Sequence, residues 1–200
     1  MQLELSKEQE HKLKAFSEEV IERNKQHNLT GYKNTQAFFD DQIVDCVLAL
    51  KACKKNLQNK VVDCGSGAGL PSIIWAMLEP EKTFYSIDKN IKKIQFQKQT
   101  IMKLGLKNIE AHTTKIENFT LDDPHTVVLK AFGPIKNTTT QLKHRQHQKN
   151  LIFLKKDNKK TEEELLEASA LLYDYKKHQY VLNKEKMVAL ELYDSKNSHN

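Results

Sequence analysis

Three closely spaced glycines and two aspartates are the residues of this chain whose spacing could support chemistry. Gly65, Gly67 and Gly69 alternate with small residues and form a loop with almost no side-chain bulk. Glycine allows the backbone to approach a ligand closely and to adopt positive φ angles. Asp63 lies two residues before Gly65. Asp88 lies 23 residues after Gly65, where a carboxylate can accept hydrogen bonds from both hydroxyls of a ribose. We therefore predict a site for a ligand that contains a nucleoside.

The elements around this loop are those of a βαβ unit. A short apolar strand is predicted to end at 63–64, and the apolar spacing over 70–78 predicts a helix that stops before Pro80. A second strand is predicted over 83–87, and Asp88 follows its end. The order strand, glycine turn, helix and strand with an acidic end is typical of nucleotide-binding units.

The glycine spacing separates the possible nucleotide ligands. The dehydrogenase fingerprint is G-x-G-x-x-G, whereas this chain has G-x-G-x-G, so an NAD site is a less favoured alternative. A glycine-rich turn that binds no ligand is the other alternative. The stretch Asp63-x-Gly65-x-Gly67-x-Gly69 resembles the first motif of class I S-adenosylmethionine-dependent methyltransferases. That resemblance implies S-adenosylmethionine as the cofactor, which has no pyrophosphate and so requires the loop to contact only an amino acid and an adenosine.

The composition places limits on the class of protein. Of 200 residues, 38% are hydrophobic and 29% are charged, which suits one globular domain with a full core. No apolar run approaches the roughly 20 residues that span a bilayer, and no secretory signal is visible, so we expect a cytoplasmic protein without a membrane segment. Cys46, Cys53 and Cys64 lack metal-type spacing and are expected to be reduced thiols. The histidines are scattered, so no metal site is predicted.

The charge of the chain indicates a polyanionic partner. The net charge is +6 and the isoelectric point is near 9.0, which favours a nucleic acid as the partner. Residues 136–160 contain eight Lys or Arg and one acidic residue, Asp157, so the positive charge is uneven. Such a run is most often a solvated face, and it supports a nucleic-acid partner only together with the cofactor site.

Helices alternate with short apolar strands along the chain. Ser6 begins a capping box for a first helix that ends near residue 25, and a second helix is predicted over 35–54. The further predicted strands are 109–113, 126–129, 151–154, 175–183 and 187–193. The further predicted helices are 90–104 and 161–172, the latter capped by Thr161. This alternation predicts a parallel sheet covered on both faces and closed by an antiparallel pair.

The predicted fold class is therefore α/β, with a Rossmann-like, seven-stranded, mostly parallel sheet, helices on both faces and an N-terminal helical extension. We divide the chain into the extension, 1–56, a methyltransferase domain, 57–194, and a disordered tail, 195–200. In such a sheet the ligand lies outside the carboxyl ends of the strands.

Several segments together resemble the ribosomal RNA small subunit methyltransferase G family, also called glucose-inhibited division protein B. The most specific matches are the GSGAGLP loop at 65–71 and LGLKN at 104–108. The weaker matches are Asn28-Leu29-Thr30, Gln42-Ile43-Val44-Asp45, Asp88 with Lys92-Lys93, Ile116-Glu117, Lys130-Ala131-Phe132 and Leu154-Lys155. The resemblance covers about residues 15–160 and implies methylation of N7 of a guanine in 16S rRNA.

The resemblance also implies site residues, with some departures from the family pattern. The family's cofactor contacts fall on Gly65, Leu70, Ile116, Glu117 and Lys130. The family has Arg where this chain has Lys130, His where it has Gln42, Arg where it has Lys115, and Gly where it has Lys156. Lysine replaces a bidentate arginine poorly, so a retargeted enzyme or a non-catalytic RNA-binding relative is an alternative.

The expected chemistry needs positioning rather than proton transfer. Guanine N7 has a free lone pair and no proton to lose, which agrees with the absence of an obvious His/Asp or Cys dyad. Lys130 is predicted to face the cofactor carboxylate or an RNA phosphate. Phe132 is predicted to stack on the target base, with a core aromatic as the alternative.

These predictions define two sets of residues and one partner. The predicted cofactor-binding set is Asp63, Gly65, Gly67, Gly69, Leu70, Asp88, Ile116, Glu117 and Lys130. The predicted RNA-binding set is Lys92, Lys93, Lys155 and Lys156. We expect the protein to be a monomer. Its expected partner is 16S rRNA or a small-subunit particle. A methyltransferase that acts on a protein or a small molecule is the remaining alternative.

Overall fold

Seven helices and seven strands make up the described part of the chain, which in this computed structural model is residues 4–142, 147–168 and 173–194. The α-helices are α1 (Lys7–His27), α2 (Thr35–Phe38), α3 (Val44–Cys53), α4 (Ser72–Leu78), α5 (Ile91–Lys103), α6 (Ile135–Leu142) and α7 (Lys159–Ala168). The strands are β1 (Lys60–Cys64), β2 (Thr83–Asp88), β3 (Ile109–Thr113), β4 (His125–Lys130), β5 (Gln148–Lys156), β6 (Tyr173–Leu182) and β7 (Glu185–Asp194). Short turns are π-helical at Phe39–Ile43 and 3-10 at Lys54–Asn56 and Ile116–Asn118.

All seven strands form one sheet in the order β3-β2-β1-β4-β5-β7-β6. The strands from β3 to β5 run parallel, and β7 and β6 extend the sheet as an antiparallel pair. The predicted fold class is confirmed. Because β1 lies between β2 and β4, the direction of winding reverses there, and a crevice opens at the carboxyl ends of these strands.

Two apolar clusters cover the two faces of the sheet. On one face, side chains of α1, α3, α4 and α5 pack on the strands, and Trp75 donates a hydrogen bond from Nε1 to the carbonyl of Cys46 at 2.9 Å. On the other face, Ile135 of α6 and Leu165 of α7 belong to the same apolar cluster as Val127 of β4. Burial on both faces explains why the central strands are continuous apolar runs rather than alternating ones.

The predicted second helix, 35–54, is wrong in one respect. The structure divides it into α2, the π-helical turn Phe39–Ile43 and α3. A π turn inserts an extra residue into the helical ladder, and an apolar pattern with helical period does not report such an insertion. The turn carries Gln42, and the first turn of α3 carries Asp45, two residues that contact the candidate site.

The cap predicted for the last helix is also wrong. The helix α7 begins at Lys159, and Asn158 Oδ1 accepts a hydrogen bond from the backbone N–H of Thr161 at 3.1 Å. Asn is on average a better N-cap than Thr, which agrees with a helix that begins just after Asn158. The predicted end of this helix, 169–172, lies outside the described residues, as does the predicted tail, 195–200. The division at residue 56 stays a prediction.

Candidate active site

The glycine loop after β1 is tied to the end of β2. The backbone N–H groups of Gly65 and Ser66 donate to the carbonyl of Ile87 at 2.9 and 3.1 Å. The N–H of Gly67 donates to Asp88 Oδ2 at 3.0 Å, and Asp88 Oδ1 accepts from the N–H of Asn90 at 2.8 Å. The two predicted parts of the site, the loop and the acidic residue, are therefore in direct contact.

Gly65 has no room for a side chain. Its φ angle is +70°, in the left-handed region that disfavours other residues. A Cβ atom at this position would lie 2.5 Å from Cδ2 of Phe132, whose ring covers the loop. Phe132 is half-buried and belongs to the edge of an apolar cluster, so its predicted stacking on the target base stays a prediction.

A buried polar network beneath the loop was not predicted from the sequence. Gln97 donates from Nε2 to Ser66 Oγ and to the carbonyl of Gly67, both at 2.9 Å. Its Oε1 accepts from Ser86 Oγ at 2.6 Å, and Ser86 in turn accepts from Ser72 Oγ at 3.0 Å. A sequence signal existed, because Gln97 interrupts the apolar stripe of α5 and is completely buried. These bonds fix the loop's shape.

Asp63 lies under the loop and not on a cavity wall. Its Oδ2 accepts from the backbone N–H of Ser72 at 3.0 Å, whereas its Oδ1 has no hydrogen-bond partner among the described residues. Burial raises the pKa of Asp63 to about 7, because the charged form is poorly solvated there. The structure thus gives Asp63 a contact that supports the loop, and its predicted contact with the cofactor stays a prediction.

The first of two cavities at this edge of the sheet has a volume of about 570 Å³. It brings together predicted site residues from four separate segments, Gly65, Asp88, Ile116, Glu117 and Phe132. It is also lined by residues that the site prediction did not include, among them Lys89, Thr114, Lys115 and Asn137. Most of the residues that line it are polar or charged, which suits a ligand with many hydrogen-bonding groups.

The second cavity, of about 270 Å³, lies on the other side of the loop. Gly65 and Lys93 line both cavities, so the two spaces adjoin at the loop. The predicted residues Gly67, Leu70 and Lys130 line the second cavity. Its far wall is Leu29, Thr30 and Gln42, from the segments before β1. Gly69 lines neither cavity, and a Cβ atom at this position would lie 2.4 Å from Cδ1 of Ile73.

Lys130 is held by groups that the site prediction did not include. Its Nζ forms an ion pair with Asp45 Oδ2 at 2.8 Å and donates to Gln42 Oε1 at 3.0 Å. Burial by itself would lower the pKa of Lys130, because it disfavours the charged form. The negative charges of Cys46, when ionised, and of Asp45 together favour the ammonium more than burial disfavours it, so the pKa of Lys130 is raised. A signal for Asp45 was present, because it is an acidic residue within the apolar run of α3.

The four lysines of the predicted RNA-binding set lie in different environments. Lys92 is exposed and Lys93 is half-buried, both in the first turn of α5. Lys155 pairs with Glu164 at 2.8 Å and donates to the carbonyl of Gly133 at 3.2 Å, so binding a phosphate would require this contact to open. Lys156 is exposed and pairs with Glu185 at 2.8 Å. RNA binding by these four residues stays a prediction.

The described residues, 4–142, 147–168 and 173–194, bear on metal binding and on membrane insertion. No group of three or more His, Cys, Asp or Glu side chains there could hold a metal ion. No helix there is both long enough and apolar enough to cross a bilayer.

Solved structures with a similar fold are methyltransferases. Precorrin-6y C5,15-methyltransferase from Geobacter metallireducens GS-15 has a TM-score of 0.57 and 15% identity, over 74% of this chain and 88% of that chain. M. capricolum TrmK, solved in complex with S-adenosyl-homocysteine, has a TM-score of 0.55 and 19% identity, over 73% of this chain and 67% of that chain. The fold is that of the class I S-adenosylmethionine-dependent methyltransferases.

Sequence relatives identify the family within this class. The family model described as rRNA small subunit methyltransferase G matches residues 9–191. The protein named ribosomal RNA small subunit methyltransferase G in Brachyspira hyodysenteriae is 33% identical over 169 residues, 84% of this chain and 81% of that protein. The protein of the same name in Psychrobacter sp. is 35% identical over 123 residues, 62% of this chain and 53% of that protein. The chain belongs to the rRNA small subunit methyltransferase G family, and the predicted family is confirmed.

Proposed function

We propose that this protein methylates N7 of a guanine in 16S rRNA, with S-adenosylmethionine as the methyl donor. Membership of the rRNA small subunit methyltransferase G family supports the methyl transfer and the rRNA substrate. The observation that carries the proposed chemistry is the pair of cavities that adjoin at the glycine loop. The first cavity suits an adenosine, and the second suits the methionine part together with an incoming base.

The residues that line the cavities fit S-adenosylmethionine. When bound, this cofactor supplies a methyl group on a positively charged sulfur. Each carboxylate oxygen of Asp88 accepts one backbone N–H and keeps a second lone pair, which a ribose hydroxyl can use. Ile116 and Glu117 form the wall proposed for the adenine. Gly65 has no side chain, so its backbone can lie close to the cofactor, and Lys130 offers a positive charge to the carboxylate of the cofactor.

The second cavity supports attack by an atom that needs no deprotonation. Its described polar side chains are Thr30, Gln42, Ser66, Lys93 and Lys130. None of these is a carboxylate, an imidazole or a thiol, the groups that most often take a proton or act as a covalent nucleophile. Guanine N7 presents a lone pair without a proton, so positioning alone is enough for this atom. The cavity therefore favours N7 over an exocyclic amine or a pyrimidine carbon.

The experiment that tests the function is a methyl-transfer assay with product mapping. The purified protein is incubated with methyl-labelled S-adenosylmethionine and either naked 16S rRNA or small-subunit particles, and the digested nucleosides are separated by mass spectrometry. We expect label in 7-methylguanosine at one position, and comparing the two substrates shows which one is used. Methyl label that nuclease treatment does not release would be attached to something other than RNA and would contradict the proposal. Label in any nucleoside other than 7-methylguanosine would also contradict it.

The lysines around the crevice are the proposed contacts for the RNA backbone. Lys89, Lys93 and Lys115 line the first cavity, and Lys92 is exposed next to Lys93 in the first turn of α5. None of the four forms an ion pair with a carboxylate in the ranges that the structure describes. Unpaired ammonium groups can release the counterions of phosphates when RNA binds, which makes affinity dependent on salt. We propose these residues, rather than Lys155, as the main electrostatic contacts.

We expect the double variant Lys92→Gln with Lys93→Gln to bind 16S rRNA more weakly. The slope of log K against the logarithm of the salt concentration should become less steep by about 1.4 to 1.8, because two phosphate contacts are lost. The measurement is rRNA affinity at several salt concentrations. Lys98→Gln with Lys107→Gln is the matched control, because both lysines are exposed and unpaired in the described chain and the change in net charge is the same. Equal losses in the two double variants would mean that the effect comes from total charge and not from this surface.

The remaining features follow from the proposed substrate. A protein that modifies 16S rRNA is expected in the cytoplasm, where small subunits are assembled. The monomeric state stays a prediction, which the mass of the protein in solution would test. No contact in the described residues favours a protein or small-molecule substrate over rRNA.

A further inference from the structure

The ammonium of Lys130 is the centre of a network that joins three distant parts of the chain. Asp45 of α3 pairs with Lys130 through Oδ2 at 2.8 Å, and its other oxygen, Oδ1, accepts from the hydroxyl of Tyr180 at 2.8 Å. Tyr180 belongs to β6, in the antiparallel pair at the edge of the sheet. The carboxylate of Asp45 is thus held from both sides.

The side chains of this network are buried, so the surrounding residues restrict their movement. The exposed fraction of the side chain is 14% for Lys130 and 5% for Asp45. A buried ammonium is retained as a charge only when it has a counterion, and in the described residues Asp45 is the carboxylate paired with it. The tyrosine hydroxyl restrains the rotation of that carboxylate, which in turn restrains Nζ.

One hydrogen-bond donor of Lys130 is left for a ligand. An ammonium group carries three N–H donors, and here Asp45 and Gln42 receive two of them. Lys130 also lines the second cavity, so the third donor is available to a group that enters that cavity. A buried donor left without an acceptor is unfavourable, which makes an oxygen acceptor the ligand that fits this position.

We propose that Asp45 and Tyr180 are positioning residues for the methyl transfer, which orient Nζ of Lys130 so that its third N–H binds an oxygen in the second cavity. This proposal rests on the proposed function. The oxygen belongs either to the carboxylate of the cofactor or to the RNA, and both present the same acceptor chemistry. Tyr180 does not line the cavity, so its effect on the reaction passes through Asp45 and Lys130.

The proposal has a consequence for pH dependence. The titratable groups that act on Lys130 are Cys46, Asp45 and Tyr32, and Lys130 in turn acts on Asp63. Burial raises the pKa of the Cys46 thiol, so this thiol is neutral near pH 7 and Asp45 supplies the negative charge. Without that charge, burial lowers the pKa of Lys130, and the ammonium is lost as the pH rises.

The test compares four variants with the wild-type protein. Two constants are measured for each variant, the dissociation constant of S-adenosyl-homocysteine by calorimetry and the KM for 16S rRNA. Lys130→Met shows which of the two depends on Lys130. Tyr180→Phe removes one hydroxyl, and Asp45→Asn removes the charge while keeping the shape. Asp45→Asn combined with Lys130→Arg restores a cation that stays charged. Tyr175→Phe on the same strand is the control, because Tyr175 is 52% exposed and outside the network.

We expect Tyr180→Phe to worsen the constant that Lys130→Met worsens, by about three- to tenfold, with Tyr175→Phe unchanged. Asp45→Asn should lose more activity than the wild-type protein as the pH rises above 7, because removing the negative charge of Asp45 lowers the pKa of Lys130. The double variant with Arg should lose this pH dependence, since a guanidinium does not titrate there. A loss in binding S-adenosyl-homocysteine assigns the oxygen to the cofactor, and a loss confined to the KM assigns it to the RNA.

Two results would overturn the proposal. One is that Tyr180→Phe and a folded Asp45→Asn both keep the wild-type constants while Lys130→Met does not. The other is that Lys130→Met itself changes neither constant. Should Asp45→Asn fail to fold, as judged by circular dichroism, Tyr180→Phe alone decides. Binding of S-adenosyl-homocysteine needs no RNA, so it separates this proposal from the proposed function, which fails if no 7-methylguanosine is formed.

Discussion

Replacing Gly65 by alanine is expected to lower the affinity for S-adenosylmethionine by at least about 100-fold, or about 2.7 kcal/mol. Two costs act together. Alanine at a φ angle of +70° strains the backbone, and its methyl group would lie 2.5 Å from a ring carbon of Phe132. Either the ring moves into the first cavity or the loop shifts, and both change the wall that the two cavities share. The measurement is calorimetric titration with the cofactor.

Gly105→Ala is the matched control for this substitution. Gly105 has a φ angle of +66°, close to that of Gly65, but a Cβ atom there would have no neighbour within 4 Å. It therefore carries similar backbone strain without the contact. Adding Phe132→Ala to the Gly65 variant removes the ring and should recover part of the lost affinity. If both glycine variants bind the cofactor equally well, the close approach of Phe132 to the loop has no role in binding.

Replacing Asp88 by asparagine is expected to lower the affinity for S-adenosylmethionine by about 30- to 300-fold. The carboxylate accepts the N–H of Gly67 at 3.0 Å and that of Asn90 at 2.8 Å. Asparagine keeps one acceptor oxygen and presents donors on the other side, so one backbone N–H loses its partner. The proposed contact with the ribose hydroxyls is weakened at the same time. Calorimetry with the cofactor and with S-adenosyl-homocysteine measures the loss.

Asp122→Asn controls for the change of charge, because Asp122 is exposed and no hydrogen bond or ion pair is found for it in the described chain. Thermal unfolding of both variants shows whether the fold is kept. A decrease in affinity of less than about threefold for the Asp88 variant, with the fold intact, would remove Asp88 from the cofactor site.

The part of the site that residue spacing predicted, without the family resemblance, is formed by neighbouring residues. The glycine loop, the strand before it and the acidic end of the next strand lie within 61–88, and each has a local signal. Glycines report where the backbone needs a positive φ angle, and apolar runs report buried strands. The mostly parallel, seven-stranded sheet could be predicted because alternating helices and strands allow few topologies, whereas the order of the strands is given by the structure.

The residues that sequence missed act over long distances in the chain. Gln97 supports the loop from 30 and 31 residues away, and Tyr180 reaches Asp45 across 135 residues. A polar residue within an apolar stripe, such as Gln97 or Asp45, does signal that a partner exists. The pattern cannot name that partner, because it contains no information on which elements pack together.

The same limit applies to the positively charged residues. The sequence presents Lys92, Lys93, Lys130 and Lys155 as equivalent, positively charged side chains. Packing gives them different environments: Lys130 is paired with Asp45, Lys155 is paired with Glu164, and Lys92 remains exposed. Ion pairing depends on distances of a few ångström between segments, so it is decided only after folding.

Sequence by itself therefore determined the fold class, the family and the loop with its acidic partner, because these depend on local spacing and on the period of apolar residues. Tertiary structure alone decided that the segments before β1 form a wall of the second cavity, that Gln97 holds the loop, and that Lys130 has one donor to spare. The physical reason is that buried polar groups must find partners, and those partners come from whichever elements the sheet brings together.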